Sequence, residues 1–84
     1  MTYKIKDQGK IPDSILKSLT KATELGKGTV SIWGVPYYYY GNYDQYDIET
    51  IKSGLTKPSL DYQYVKEVFF IPYKHYYYLW FTEK

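Results

Sequence analysis

Tyrosine is concentrated in two segments of this chain, and that concentration limits what the chain can fold into. Six tyrosines lie in VPYYYYGNYDQYD (35–47) and four lie in YKHYYYLWF (73–81). A tyrosine ring gains free energy from burial, whereas a buried hydroxyl without a partner costs on the order of 1–3 kcal/mol. Rings that are covered and hydroxyls that reach water are therefore expected, and a half-covered strand provides both.

The two segments differ in how well they fit that expectation. The C-terminal segment is typical of sheet residues, because alternation places successive side chains on opposite faces. As a strand, YYYY (37–40) would place Tyr38 and Tyr40 on one face and Tyr37 and Tyr39 on the other. The first segment, however, straddles Gly41-Asn42 and continues into acids, which favours an exposed loop or hairpin tip.

The N-terminal third predicts a strand followed by a helix. TYKIK (2–6) alternates apolar and charged side chains, as a short strand with one wet face does. Asp13 precedes an apolar stripe at helical spacing and predicts an N-cap. Gly26 predicts the end of this helix, which we expect over 13–25.

The middle of the chain predicts a strand and a turn. TVSIWGV (29–35) has apolar groups on both faces, which favours a central strand or one covered on both sides, with a bulge at Gly34. Pro36 is expected to end the ladder hydrogen bonds of that strand because it has no N–H to donate. The pair at 41–42 indicates a turn.

The last part predicts a short helix and two long strands. Asp44 or Asp47 would cap the helix and Gly54 would end it, and the strands would meet around 72–75. We therefore predict a single α+β domain over 1–84, a mainly antiparallel sheet of about four strands with both helices packed on one face. A parallel, right-handed unit formed by the first two strands is the alternative.

Composition excludes several classes of protein. The 84 residues include no cysteine, so disulfides and thiolate ligands are ruled out. The longest apolar stretches fall far short of the roughly 20 residues that cross a bilayer, and the charged first ten residues do not resemble a signal peptide. We expect a soluble cytoplasmic protein. The net charge is only +2 and arginine is absent, which disfavours sequence-specific DNA reading. Tyrosine, lysine and isoleucine in place of arginine indicate an AT-rich genome, such as that of a virus or mobile element.

We predict a non-enzymatic protein-binding module of the inhibitor or adaptor type. The segment from Val35 to Thr50 contains three acids and no lysine, so it would repel a polyanion and favour a basic protein surface. Tyrosine provides contact area at low entropic cost. A homodimer is expected because self-association would cover an aromatic sheet face. The predicted binding residues are Tyr37, Tyr38, Tyr39, Tyr40, Tyr43, Asp44, Tyr46 and Asp47.

A single-stranded nucleic-acid binder is the alternative function. Bases stack on aromatic rings without sequence preference, and lysines neutralise phosphates. The low net charge and the missing arginine count against it. The residues that would serve this function are Lys4, Lys6, Lys10, Tyr73, Lys74, His75, Tyr76 and Tyr78.

No catalytic site, metal site or cofactor is predicted. His75 is the only histidine, which rules out a multi-histidine zinc site. Asp44, Asp47 and Glu49 lack the glycine of a calcium loop. None of the common phosphate-binding or nucleophile motifs is present. RNA cleavage by His75 with neighbouring Tyr73 and Lys74 is the remaining enzymatic alternative.

Overall fold

The structure is a computed structural model that describes residues 4–6, 11–56, 58–61 and 63–84. Its elements in chain order are β1 (Lys4–Lys6), α1 (Asp13–Glu24), β2 (Thr29–Ile32), β3 (Val35–Tyr43), α2 (Gln45–Lys52), β4 (Val65–Tyr73) and β5 (Tyr76–Glu83).

The strands form one open sheet in the spatial order β1-β4-β5-β3-β2. β1 pairs with β4 in parallel, and the other pairings are antiparallel. A mainly antiparallel sheet with two helices confirms the predicted α+β class. β1 and β2 lie on opposite edges, so the alternative of a parallel unit made from these two strands is wrong.

The helix α1 spans Asp13–Glu24, close to the predicted 13–25, but its capping residue differs from the prediction. Pro12 occupies the N-cap position, and no side chain caps the helix; the Pro12 carbonyl accepts a hydrogen bond from the Leu16 N–H at 2.9 Å. The prediction that Asp13 caps the helix is wrong. Asp13 is the first helical residue, where its carboxylate still interacts favourably with the helix dipole. Gly26 adopts φ 73° directly after the helix, as predicted.

β2 and β3 are two strands joined by a tight turn, whereas the sequence pattern predicts one strand over 29–35. Trp33 and Gly34 form the turn, with φ 55° and 79°. Two positive φ values in a two-residue loop match the right-handed twist of a hairpin. Ile32 pairs with Val35 across this turn. β2 lies at one edge of the sheet. The predictions of a central strand and of a bulge at Gly34 are therefore wrong.

β3 continues through two sites, Pro36 and Gly41-Asn42, at which the sequence predicts an interruption. Pro36 pairs with Ser31, and its missing N–H is tolerated because the pairing of β3 with β5 begins only at Tyr38. The pair Gly41-Asn42 lies within the ladder instead of in a turn. The strand accommodates this stretch with a bulge between Tyr39 and Gly41, which leaves Tyr40 unpaired.

The ends of α2 are set by residues that the sequence analysis identifies. The Asp44 side chain accepts a hydrogen bond from the Asp47 N–H at 2.8 Å, which makes Asp44 the N-cap. Gly54 adopts φ 86°, and the Leu55 N–H donates to the Thr50 carbonyl at 2.9 Å. This backbone bond closes the helix as a glycine C-cap motif does.

The sheet has an apolar cluster on each face, and one helix covers each cluster. Phe69 and Ile71 of β4 pack beneath α1, whereas their neighbours Val68 and Phe70 pack beneath α2. We call these two sides the α1 face and the α2 face. The two helices thus lie on opposite faces and not together on one. The buried residues of the α1 face are Ile11, Leu19, Ala22, Ile32, Tyr37, Phe69, Ile71 and Trp80. Those of the α2 face are Ile48, Ile51, Val65, Val68, Phe70 and Leu79.

Candidate functional site

The tyrosines of 37–43 belong to β3, so the predicted exposed loop is wrong for these residues. Tyr37 is buried and its ring lies 5.5 Å from that of Phe69. Tyr38 is half-buried, 5.5 Å from Phe81. Tyr38 packs on its partner strand because it pairs with Phe81 of β5, whereas Tyr37 precedes that pairing and packs on Phe69 of β4. Tyr37 belongs to the core of the α1 face.

The bulge at Tyr40 decides which face the last β3 tyrosine occupies. Strict alternation would place Tyr43 on the α1 face with Tyr37 and Tyr39. The extra residue shifts the alternation, so Tyr43 packs in the α2-face cluster, with its ring 6.5 Å from Phe70 in an edge-on contact. The predicted binding residues are therefore divided between the two faces.

Four tyrosines lie together on the α1 face beyond the part that α1 covers, and we call them the tyrosine platform: Tyr39, Tyr73, Tyr76 and Tyr78. The ring centroids of Tyr39 and Tyr78 are 5.9 Å apart, and those of Tyr73 and Tyr78 are 6.0 Å apart. Tyr76 pairs with Tyr73 in the β4–β5 hairpin and is 46% exposed. The platform thus presents a contiguous aromatic surface, with three of its residues drawn from the predicted nucleic-acid set.

Two lysines flank the tyrosine platform. The Lys74 Nζ lies 5.4 Å from the centroid of the Tyr73 ring, a cation–π distance. Lys74 adopts φ 56° in the two-residue loop that joins β4 and β5. At the other side, Lys27 follows α1 and lines a cavity against the platform.

That cavity has a volume of about 290 Å³. Trp80 connects its floor to α1, because the indole N–H donates a hydrogen bond to the Thr23 hydroxyl at 2.9 Å, and the Trp80 ring lies 5.6 Å from Tyr39. The described lining includes one lysine and no carboxylate. The lining residues are Thr23, Gly26, Lys27, Gly28, Tyr39, Tyr78 and Trp80.

Burial raises the pKa of two phenols on the α1 face. It raises the pKa of Tyr39, and the nearby Tyr78 raises it further. Burial also raises the pKa of Tyr37, with a second contribution from the Glu67 carboxylate. The Tyr37 and Tyr39 hydroxyls therefore keep their protons to a higher pH than usual and remain hydrogen-bond donors.

The α2 face has a second cavity, of about 340 Å³. Tyr40, Tyr43 and Asp47 contribute its aromatic and acidic groups. Burial, with the neighbouring Tyr40, Asp47 and Tyr39, raises the pKa of Tyr43 to about 12. Tyr46 is 72% exposed on α2. The remaining lining residues are Ile51, Thr56, Pro58 and Ser59.

The rest of the α2 face is covered from within the chain. Ile48 and Ile51 of α2 pack on it, and Leu60 adds to the cover. The prediction of a homodimer depends on an uncovered aromatic face; the α2 face does not provide one, whereas the tyrosine platform on the α1 face does. The homodimer itself stays a prediction.

Three predicted lysines are not placed at either site. Lys10 lies outside the described residues, and for Lys4 and Lys6 only the backbone, in β1, is described. His75 is exposed in the β4–β5 loop next to Lys74. Within the described ranges, no group of three or more His, Cys, Asp or Glu residues could hold a metal ion. No helix in that part of the chain is long and apolar enough to cross a membrane.

The sequence analysis does not identify two residues of these surfaces: Trp33, which is exposed, and Lys27, which lines the cavity on the α1 face. Trp33 is 85% exposed at the β2–β3 turn, and the signal that could have identified it is a two-residue Trp-Gly turn between apolar strands. Lys27 lies between two glycines after α1, a position that favours a backbone turn.

No protein-family model, characterised protein or solved structure matches the chain significantly, so its function is argued from these surfaces.

Proposed function

We propose that this protein binds single-stranded nucleic acid on the tyrosine platform of the α1 face. The observation that carries the proposal is the contiguous set of rings at Tyr39, Tyr78 and Tyr73, flanked by Lys27 and Lys74. An exposed sheet surface with aromatic side chains is a common way to stack unpaired bases. The acidic residues predicted to repel a polyanion lie on the opposite face, so they do not oppose binding here.

Each part of the platform has a role in this proposal. Tyr76 and Tyr78 stack on bases, and the cavity against Trp80 accepts one base at its edge. Asn42 pairs with Tyr78 in the ladder and offers an amide that hydrogen-bonds to base edges. Lys27 and Lys74 neutralise phosphates. Two such contacts give binding that weakens with salt, with a slope of log affinity against log salt of about −1.4.

The first test is binding of a fluorescently labelled oligothymidine of roughly ten nucleotides, followed by fluorescence anisotropy at low salt. Tyr76→Ala should weaken binding by roughly 5- to 150-fold, because base stacking on an aromatic ring contributes roughly 1–3 kcal/mol. Tyr76→Phe should bind as wild type does. Tyr46→Ala removes an exposed tyrosine from the α2 face and is the matched control, with no expected change.

The salt dependence tests the lysines separately from the rings. Lys27→Gln and Lys74→Gln should each flatten the salt slope by about 0.7, while Tyr76→Ala should lower affinity without changing the slope. Absence of binding at low salt would refute the proposal. Equal losses in Tyr76→Ala and Tyr46→Ala would also refute it, because binding would then not depend on the α1 face.

A further inference from the structure

The α2-face cavity combines aromatic rings, a carboxylate and an apolar floor. Tyr40 lies at the bulge of β3, where it is half exposed, and Tyr43 is held by its edge-on contact with Phe70. Asp47, in the first turn of α2, supplies the carboxylate. The buried side chains of Ile51 and Pro58 form the apolar part of the lining.

From this geometry we infer that the α2-face cavity binds the ammonium end of a lysine side chain, presented by a basic segment of a partner protein. An ammonium group is attracted to the faces of tyrosine rings and pairs with a carboxylate. The long methylene stem of lysine packs on apolar surface while its charge stays near polar groups. The cavity offers each of these contacts through a different lining residue.

Among the described residues, the charge beside the cavity favours this occupant over an anion. The helix α2 with its N-cap carries Asp44, Asp47 and Glu49 against Lys52. With its pKa raised to about 12, the Tyr43 hydroxyl is uncharged at neutral pH and can accept or donate a hydrogen bond. This site lies on the opposite side of the sheet from the tyrosine platform and does not depend on the proposed nucleic-acid binding.

The test uses a short lysine-glycine peptide and the same peptide with norleucine in place of each lysine, titrated into the ¹⁵N-labelled protein. Norleucine keeps the methylene stem and removes the ammonium. The lysine peptide should shift the amide signals of Tyr40, Tyr43 and Asp47, and n-butylammonium should displace it. The norleucine peptide should not bind.

Variants separate the site from general charge attraction. Tyr40→Leu should weaken peptide binding by roughly 2- to 30-fold, the range expected for a lost cation–π contact, while Tyr40→Phe should keep it. Asp47→Asn should weaken it by roughly 2- to 5-fold. Glu24→Gln removes an exposed carboxylate from α1 on the other side of the sheet and should have no effect.

Ser59→Glu keeps the test decisive if changes in α2 disturb that helix. Ser59 lies on the lining outside α2, and an added carboxylate there should strengthen lysine-peptide binding. The inference is overturned if the norleucine peptide binds equally well, or if Glu24→Gln and Asp47→Asn weaken binding to the same extent. Signal shifts confined to the tyrosine platform would overturn it as well.

Discussion

On the α1 face, the tyrosines that α1 leaves uncovered adjoin Lys27 and Lys74, whereas on the α2 face Tyr40 and Tyr43 adjoin Asp47. Both faces have an apolar cluster under one helix and a cavity of similar volume at its margin. The rings are alike, and the charged residue beside them differs. A tyrosine-rich sheet can thus offer two surfaces of different preference, because neighbouring loops and helices supply the charge.

The prediction with the largest expected effect concerns Leu79 and Trp80, adjacent residues of β5 whose side chains lie on opposite faces of the sheet. Trp80 and Leu79 are both fully buried. Trp80→Ala should lower the free energy of unfolding by about 3–5 kcal/mol and Leu79→Ala by about 2–5 kcal/mol, since each removes core contacts and leaves a cavity. Urea unfolding followed by circular dichroism measures both.

The same pair of variants shows whether the two faces are one cooperative unit. Each variant should unfold in a single transition, since both residues belong to the same central strand. A change below about 1 kcal/mol for either residue would mean that its face is not a core. Two separate transitions would mean that the faces unfold independently.

A pH test probes the burial of Tyr43 on the α2 face. Its pKa is about 12 in the folded state against a usual value of 10.0. Below pH 10 the folded and the unfolded state both keep the Tyr43 proton, so the contribution of this group to the free energy of unfolding is fully present there. Between pH 10 and 12 the unfolded chain releases a proton that the folded chain retains, and stability falls as pH rises.

Tyr43→Phe should therefore lose less thermal stability than wild type across this window. Melting temperatures below pH 10 and within the window, measured by circular dichroism, check the difference. Tyr46→Phe changes an exposed ring on α2 and should follow wild type. If Tyr43→Phe showed the wild-type pH dependence, the Tyr43 hydroxyl would not be buried as described.

The smallest expected effect concerns a residue that belongs to neither face. Trp33 holds φ 55° in the β2–β3 turn while its side chain is exposed. Asparagine adopts this backbone region more readily. Trp33→Asn should raise the free energy of unfolding by about 0.5–1 kcal/mol. A loss of stability in urea unfolding would show instead that Trp33 packs against one of the two faces.

The sequence by itself determined the local elements whose signals lie within a few residues. The apolar stripe and Gly26 identify α1, Asp44 or Asp47 with Gly54 indicates the ends of α2, and the residues rich in aromatic and β-branched side chains identify β4 and β5. These features follow from local hydrogen bonding and side-chain spacing, which a single segment contains. The α+β class follows from the order of these elements.

Only the tertiary structure decided how the tyrosines are distributed. Gly41-Asn42 predicts a turn, but ladder hydrogen bonds to β5 hold this stretch as strand. The bulge at Tyr40 then moves Tyr43 to the α2 face, and the two helices cover opposite faces. Tyr39 and Lys27 meet because the β2–β3 hairpin brings Tyr39 back to the end of α1, where its N–H donates to the Gly28 carbonyl at 2.9 Å. Pairing between strands determines these outcomes, because its many hydrogen bonds and ring contacts outweigh a local turn preference.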